Sequence, residues 1–258
     1  PSFGHYAEDG KTYLICGLIP KEEFYDRYSA ASGLSVDQKK LEFYRILNCF
    51  QIIASAGATA KTTFAAFALA AVSGIALAAL FASSRLAEAM LSPYAVILQV
   101  TPVVAIAPLV VIWVGLDNAW LAVLILAWIV AFFPVLANAT AGLKAADPNL
   151  RDLFRLYRAT PLRTFRRLLV PSSLPYLLAG LKTAGGLALI GAVVAEFAAA
   201  SGTSGGLAWR ILEAGNRLQI AKMFAALILL ALMGVLIYAA LTFLEWLLLR
   251  RWHGEVSR

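Results

Sequence analysis

Residues 139–175, ATAGLKAADPNLRDLFRLYRATPLRTFRRLLVPSSLP, form a basic amphipathic island between long apolar runs. The island carries Lys144, Arg151, Arg155, Arg158, Arg163, Arg166 and Arg167 against only Asp147 and Asp152. Charge at that density has no place in hydrocarbon, so the island lies in water on one side of a membrane. Everything before and after it is oriented from that side. The flanking runs require such a membrane: 61% of the chain is apolar and 14% charged, where soluble domains approach a quarter charged.

The formal charge of +7 is unevenly spread. Residues 1–51 hold six basic and seven acidic side chains, so the positive excess belongs to the rest of the chain, mostly between apolar runs. That is the pattern of cytoplasmic loops, and it argues against nucleic-acid binding, for which no soluble basic face exists. Cys16 and Cys49 make no disulfide framework, and His5 and His253 lie near opposite ends, so neither a metal nor a cofactor is expected.

The first fifty residues are polar and aromatic. Residues 22–32 read as one helix and 35–50 as a second, neither apolar enough to span a bilayer. The start shows no basic stretch followed by an apolar core, so no signal peptide is expected. Residues 54–63, ASAGATAKTT, lack the glycines of a phosphate loop and lead into an apolar run, so they are not one.

Apolar runs at 62–82, 93–114, 119–137, 176–199 and 223–249 are each about long enough to cross roughly 30 Å of hydrocarbon as a helix. A polar turn is expected at 83–92, and Pro102 and Pro108 are each expected to bend or interrupt the second run. Placing the island and the Arg250-Arg251 end in the cytoplasm outweighs Arg210, Arg217 and Lys222 on the other side. Residue 61 then faces outward, and residues 1–58 stand on the exported side without an export signal. Loss or replacement of a first span is the expected explanation.

Within the island Asp147 can cap a helix that Pro148 begins. Leu150, Leu153, Phe154 and Tyr157 share a face, Ala159-Thr160-Pro161 breaks the helix, and Leu162, Phe165, Leu168 and Leu169 open a second short one. Such a pair suits docking into a groove of a cytoplasmic partner or lying on anionic lipid, and the pattern alone leaves both open. In the spans, Glu196 reads either as a gating contact on a pathway or as a side chain reaching the interface. Pro102 and Pro108 either shape that path or serve packing. Lys182 is expected to snorkel, and Gly185, Gly186 and Gly191 to allow close helix approach.

Four strings in order, TPVVAIAPLVVIWVGLDN (101–118), FFPVLANATAGLKAADPNL (132–150), RLYRATPLRTFRRLLVPSSLPYLLAGLK (155–182) and IGAVVAEFAAASGTSGGLAW (190–209), resemble permease subunits of binding-protein-dependent ABC importers. The resemblance covers residues 60–252 and is nearest the branch for nitrate, sulfonate, taurine, bicarbonate and pyrimidine-precursor uptake. It implies an all-α polytopic membrane bundle of about five transmembrane helices, with a cytoplasmic coupling-helix loop at 143–170. It also implies a bacterial inner-membrane permease that is not itself an enzyme. ATP would be hydrolysed by two cytoplasmic ATP-binding cassette subunits, and a second permease copy would complete a homodimer. A periplasmic or extracellular solute-binding protein would deliver a small solute.

Coupling roles carry over to Leu156, Tyr157, Ala159, Phe165 and Pro171, and pathway or gating roles are assigned to Pro102, Pro108 and Glu196. The family's loop has an acidic-Ala-Ala run and then a glycine; Leu153-Phe154-Arg155 and Arg158 stand there instead. The domain plan that follows is an atypical, fused or mis-joined segment at 1–58, a transmembrane domain at 59–252 and a tail at 253–258. Residues 20–50 resemble the tail of aminoglycoside-phosphotransferase-like proteins. A noncatalytic membrane scaffold or a transport-defective permease fragment is the alternative function.

Overall fold

The structure, a computed structural model, describes residues 4–6, 13–15, 19–33, 37–199 and 205–250. The tail expected at 253–258, together with Cys16 and Arg251, lies outside the described residues. The chain divides into two compact units: residues 1–58 with 205–230, and residues 59–204 with 231–258.

In the first unit, three short strands, β1 (Gly4–Tyr6), β2 (Tyr13–Ile15) and β3 (Ile19–Pro20), form an antiparallel meander in the order β1-β2-β3. Sequence periodicity over so few residues did not reveal it. Helix α1 (Lys21–Ser32) packs against β2 and β3 and ends on Gly33 at φ 69°, a left-handed cap that glycine adopts without strain. Ile52, Leu207 and Ala226 make this unit's small core.

Helix α2 runs unbroken from Gln38 to Ser83, 46 residues, or about 70 Å at 1.5 Å per residue. The sequence reading divided this stretch into a helix to residue 50 and a span from 62. No proline interrupts it, and its alanine-rich interior carries the helix through both. Residues 54–63 thus lie within a helix, with no loop to cradle a phosphate.

In the second unit, α3 (Arg85–Val100) follows after one non-helical residue, Ser84, whose side chain accepts from Ala87 N at 3.2 Å. The polar turn expected at 83–92 is therefore mostly helix. Next come α4 (Val103–Val114), a 3-10 turn (Leu116–Asn118) and α5 (Ala119–Lys144). Helices α3 and α4 meet at 101°. The break falls at Thr101-Pro102, where the residue before proline is driven extended, with ψ 123° at Thr101. Pro108 interrupts nothing and sits inside α4.

The island folds as α6 (Pro148–Leu156), α7 (Pro161–Thr164), a π-helical turn (Phe165–Leu169) and α8 (Val170–Ala199). Only the first of the two expected short helices stands alone; the second runs on into the span. Pro171 and Pro175 do not stop it. In the π turn Val170 N bonds Phe165 O, and the extra residue eases the Pro171 ring past the carbonyl four residues back. Helix α9 (Leu207–Asn216) and α10 (Ile220–Arg250), which belong to the first unit and to both units respectively, complete the chain. Among the described residues four helices are long and apolar enough to cross a membrane, or five if the bent α3–α4 pair is one span.

The core of the second unit is built on α5 against α8. Ala119, Val123, Ala127, Ala131, Val135 and Ala139 recur every fourth residue on α5 and are buried; Ala184, Ala188 and Ala192 do the same on α8. Small residues let the two backbones close up, which is how helices associate where lipid supplies no hydrophobic drive. A Cβ added to Gly191 would lie 2.9 Å from Ala127 Cα, and one on Gly185 2.3 Å from Leu241 Cδ1 of α10. The expected close helix approach is met at Gly191, where backbone faces backbone; at Gly185 the space is filled by the tip of the Leu241 side chain. The expectation does not hold at Gly186, where an added Cβ meets open space.

Candidate functional site

The Asp147 carboxylate accepts from Asn149 N at 2.8 Å, and Pro148 occupies the first turn, where its missing N–H is no loss. Helix α6 is nine residues long and none of them is buried. Its end is closed by two backbone bonds, Arg158 N to Arg155 O and Ala159 N to Phe154 O, both 2.9 Å. These are the paired bonds of a Schellman cap, which needs a left-handed residue at Arg158; its φ is 50°. A backbone position suited to glycine is therefore occupied by arginine, at a cost of about 1 kcal/mol.

The cap turns Leu156 and Tyr157 outward, 80% and 77% exposed. Arg155 and Arg158 stand exposed beside them. Ala159 and Phe165 face elsewhere: with Leu80, Ser83, Arg151 and Arg155 they line an open groove of 860 Å³ between the end of α2 and the island. Phe165 is half-buried and packs on the α5–α8 core. Pro171 lies in the first turn of α8 and acts on the backbone. The five residues given coupling roles thus separate into an exposed pair, a groove-lining pair and one that shapes a helix.

What holds α6 in place is Arg151, which the sequence reading counted only as charge. Its Nη2 donates to Leu143 O at 2.8 Å, at the carbonyl-rich end of α5 where a cation is favoured. Lys144 in the same turn pairs with Glu88 of α3. A last-turn lysine is a legible helix-end signal, but no spacing rule points from it to an acid 56 residues earlier.

At the far end of α8 lies Glu196, 2% exposed. Thr59 of α2, fully buried, donates to its Oε1 at 2.7 Å. The side chain does not reach an interface, so that reading of Glu196 is corrected; burial among α2 and α8 keeps it inside. Thr59 was passed over because it lay outside the expected first span. Lys182 does not snorkel alone either. It pairs with Glu245 of α10, both side chains half-buried, and sits 5.6 Å from the centroid of the exposed Tyr238 ring. Pro102 stands at the α3–α4 bend, and Pro108 lies inside α4, which continues past it.

Outside this unit, α9 has its own polar cluster. Arg210 donates to Ser55 Oγ at 3.2 Å and to Glu213 at 2.8 Å, and Arg217 approaches Glu213 at 3.2 Å. Burial pushes the Glu213 carboxyl up, but the Arg210 hydrogen bond and the charges of Arg210, Lys222 and Arg217 outweigh it and hold the group below its ordinary value.

Residues 70–252 match the family described as binding-protein-dependent transport system inner membrane component. A probable ABC transporter permease protein of Haemophilus influenzae is 36% identical over 69% of this chain and 69% of its own length. The formylaminopyrimidine transport permease protein ThiX of Halalkalibacterium halodurans is also 36% identical, over 70% of this chain and 71% of its own. Among solved structures, an inward-facing form of the MetNI methionine ABC transporter shares the fold, with a TM-score of 0.62 at 19% identity over 76% of this chain and 95% of that one.

Proposed function

The chain belongs to the family of binding-protein-dependent transport system inner membrane components, and from that membership we propose how it is driven. It is the permease component of an ABC importer of small solutes, a multi-pass protein of the inner membrane. Such importers work with an ATPase and a solute-binding protein.

Our reading of the parts goes further. Two copies of the chain line one path, the island faces the cytoplasm, and each copy's α6 is gripped by one of two ATP-binding cassette subunits that carry out hydrolysis. The solute-binding protein docks on the opposite face, towards the Glu196 end. ATP binding draws the two cassettes together, the pull passes through α6 and Arg151 into the carbonyl end of α5, and the α5–α8 pair tips the path outward. Hydrolysis resets it. This is coupling through a bistable element, with Glu196 at the far end of α8 and Thr59 of α2 as the gating contact.

The observation that carries this reading is the exposed Leu156–Tyr157 pair on a helix that buries no residue in its own chain. An apolar and aromatic knob with basic flanks fits a groove in a partner protein. Tyr157→Asp and Leu156→Asp, reconstituted with the ATPase and the binding protein, are expected to lose solute uptake and solute-stimulated ATP hydrolysis by about a hundredfold, the loss expected at an interface hot spot. Insertion and fold are expected to persist, because neither side chain supports the core. Full uptake by both variants would exclude the assignment. Phe165 is the poorer probe, since an acid there also strikes the core.

A further inference from the structure

Beside the groove lies a second opening, of 480 Å³, where the end of α2, the start of α3 and the end of α5 converge over α6. Arg85, Lys144 and Arg151 line it against a single carboxylate, Glu88, leaving two net positive charges. Its remaining wall is apolar, with Phe81, Leu143 and Leu169 among it. The Arg151 Nε–H is buried and meets no acceptor among the described residues, although Nη2 of the same guanidinium is bonded. A buried donor without an acceptor is costly and marks a place where a partner is missing. Glu88 is taken by Lys144, so it does not meet that need.

We propose that this opening binds a phosphate-bearing anion, held by Arg151 and Arg85 with Lys144 at its rim. Guanidinium groups present donors in a fork that suits phosphate oxygens. The opening stands at the ends of three membrane helices and joins a cationic rim to an apolar wall, which suits an anionic phospholipid headgroup with its first acyl carbons. A free phosphate has the same head chemistry without the tail. The proposal rests on these residues alone and stands whether or not α6 is gripped by an ATPase.

The test is native mass spectrometry of the purified full-length permease titrated with phosphatidylglycerol or phosphatidylcholine, with inorganic phosphate as competitor. Saturable phosphatidylglycerol binding about tenfold tighter than phosphatidylcholine is expected, in line with two contributing cations. Arg85→Gln, at an exposed position that bears no core contact, should weaken it about fivefold. Glu88→Gln should tighten it about fivefold, because the lost carboxylate frees Lys144 for the anion; a purely structural role would not predict a gain. Phosphatidylglycerol that phosphate cannot displace assigns a lipid headgroup, and displacement by phosphate assigns the free anion; either upholds the site. Equal binding of the two lipids, or affinity unchanged in both variants, overturns it.

Discussion

Helices α6 and α9 look alike in sequence and end alike in structure, yet only one uses its apolar face within the chain. Both are short and amphipathic and carry arginine. Both close on a Schellman cap with a non-glycine residue in the left-handed region, Arg158 at φ 50° and Leu218 at φ 54°. Helix α9 buries Leu207, Ala208 and Ala214 and ties its charges inward through Arg210, Ser55 and Glu213. Helix α6 has no residue buried as a whole, and its ion pair of Arg155 with Asp152, at 3.4 Å, is exposed and contributes little. Amphipathicity therefore says that a face needs cover and not what covers it. In α9 the chain supplies it; in α6 we assign it to another protein.

The largest expected effect breaks that contrast directly. Ala214→Glu puts a charge into a fully buried position of α9 and should destabilise the protein by about 3 kcal/mol or more. Leu156→Glu on α6 should change stability by less than about 0.5 kcal/mol while removing coupling. Thermal unfolding of the two purified variants checks both, and an equal loss would show that α6 is covered within its own chain. Next in size, Arg151→Ala cuts the tie between α6 and α5 and should cost about 1–2 kcal/mol. Amide exchange should then speed up in α6 and stay unchanged in α9.

Smaller effects test what the helices share. Arg158→Gly and Leu218→Gly should each stabilise by about 1 kcal/mol, since both caps hold a residue where glycine is unstrained. A gain at one cap only would mean that the two turns differ in more than sequence. The smallest effect belongs to pH. Glu213 has its carboxyl held below the ordinary 4.5, so it stabilises above that value and the contribution is lost as pH falls through the lowered one. Wild type should lose melting temperature on acidification more steeply than Glu213→Gln, and parallel curves would remove Glu213 from the account of α9.

Much of the island was legible from residues alone. Asp147 and Pro148 marked the start of α6, and Ala159-Thr160-Pro161 marked its end, because caps and proline act within a few residues of themselves. Pro171 and Pro175 show the limit of local signals: a proline by itself disfavours a helix, but a π turn and the packing of α8 on α5 carry the helix past both. The Glu196 reading that placed it at an interface failed because its partner, Thr59, is 137 residues away. Arg151 was visible as a charge, and its bond to Leu143 was not.

By itself the sequence determined that this chain lives in a bilayer, where along the chain its apolar runs fall, and that a basic platform lies between them. Transfer of each residue from water to lipid is a local cost that sums along the chain, so it can be read in order. Only the tertiary structure decided that α5 and α8 form the core, that Gly191 and Gly185 but not Gly186 carry close contacts, and that Glu196 is buried against Thr59. Those choices depend on how surfaces on distant helices fit one another, and a fit between two surfaces is not written in either one alone.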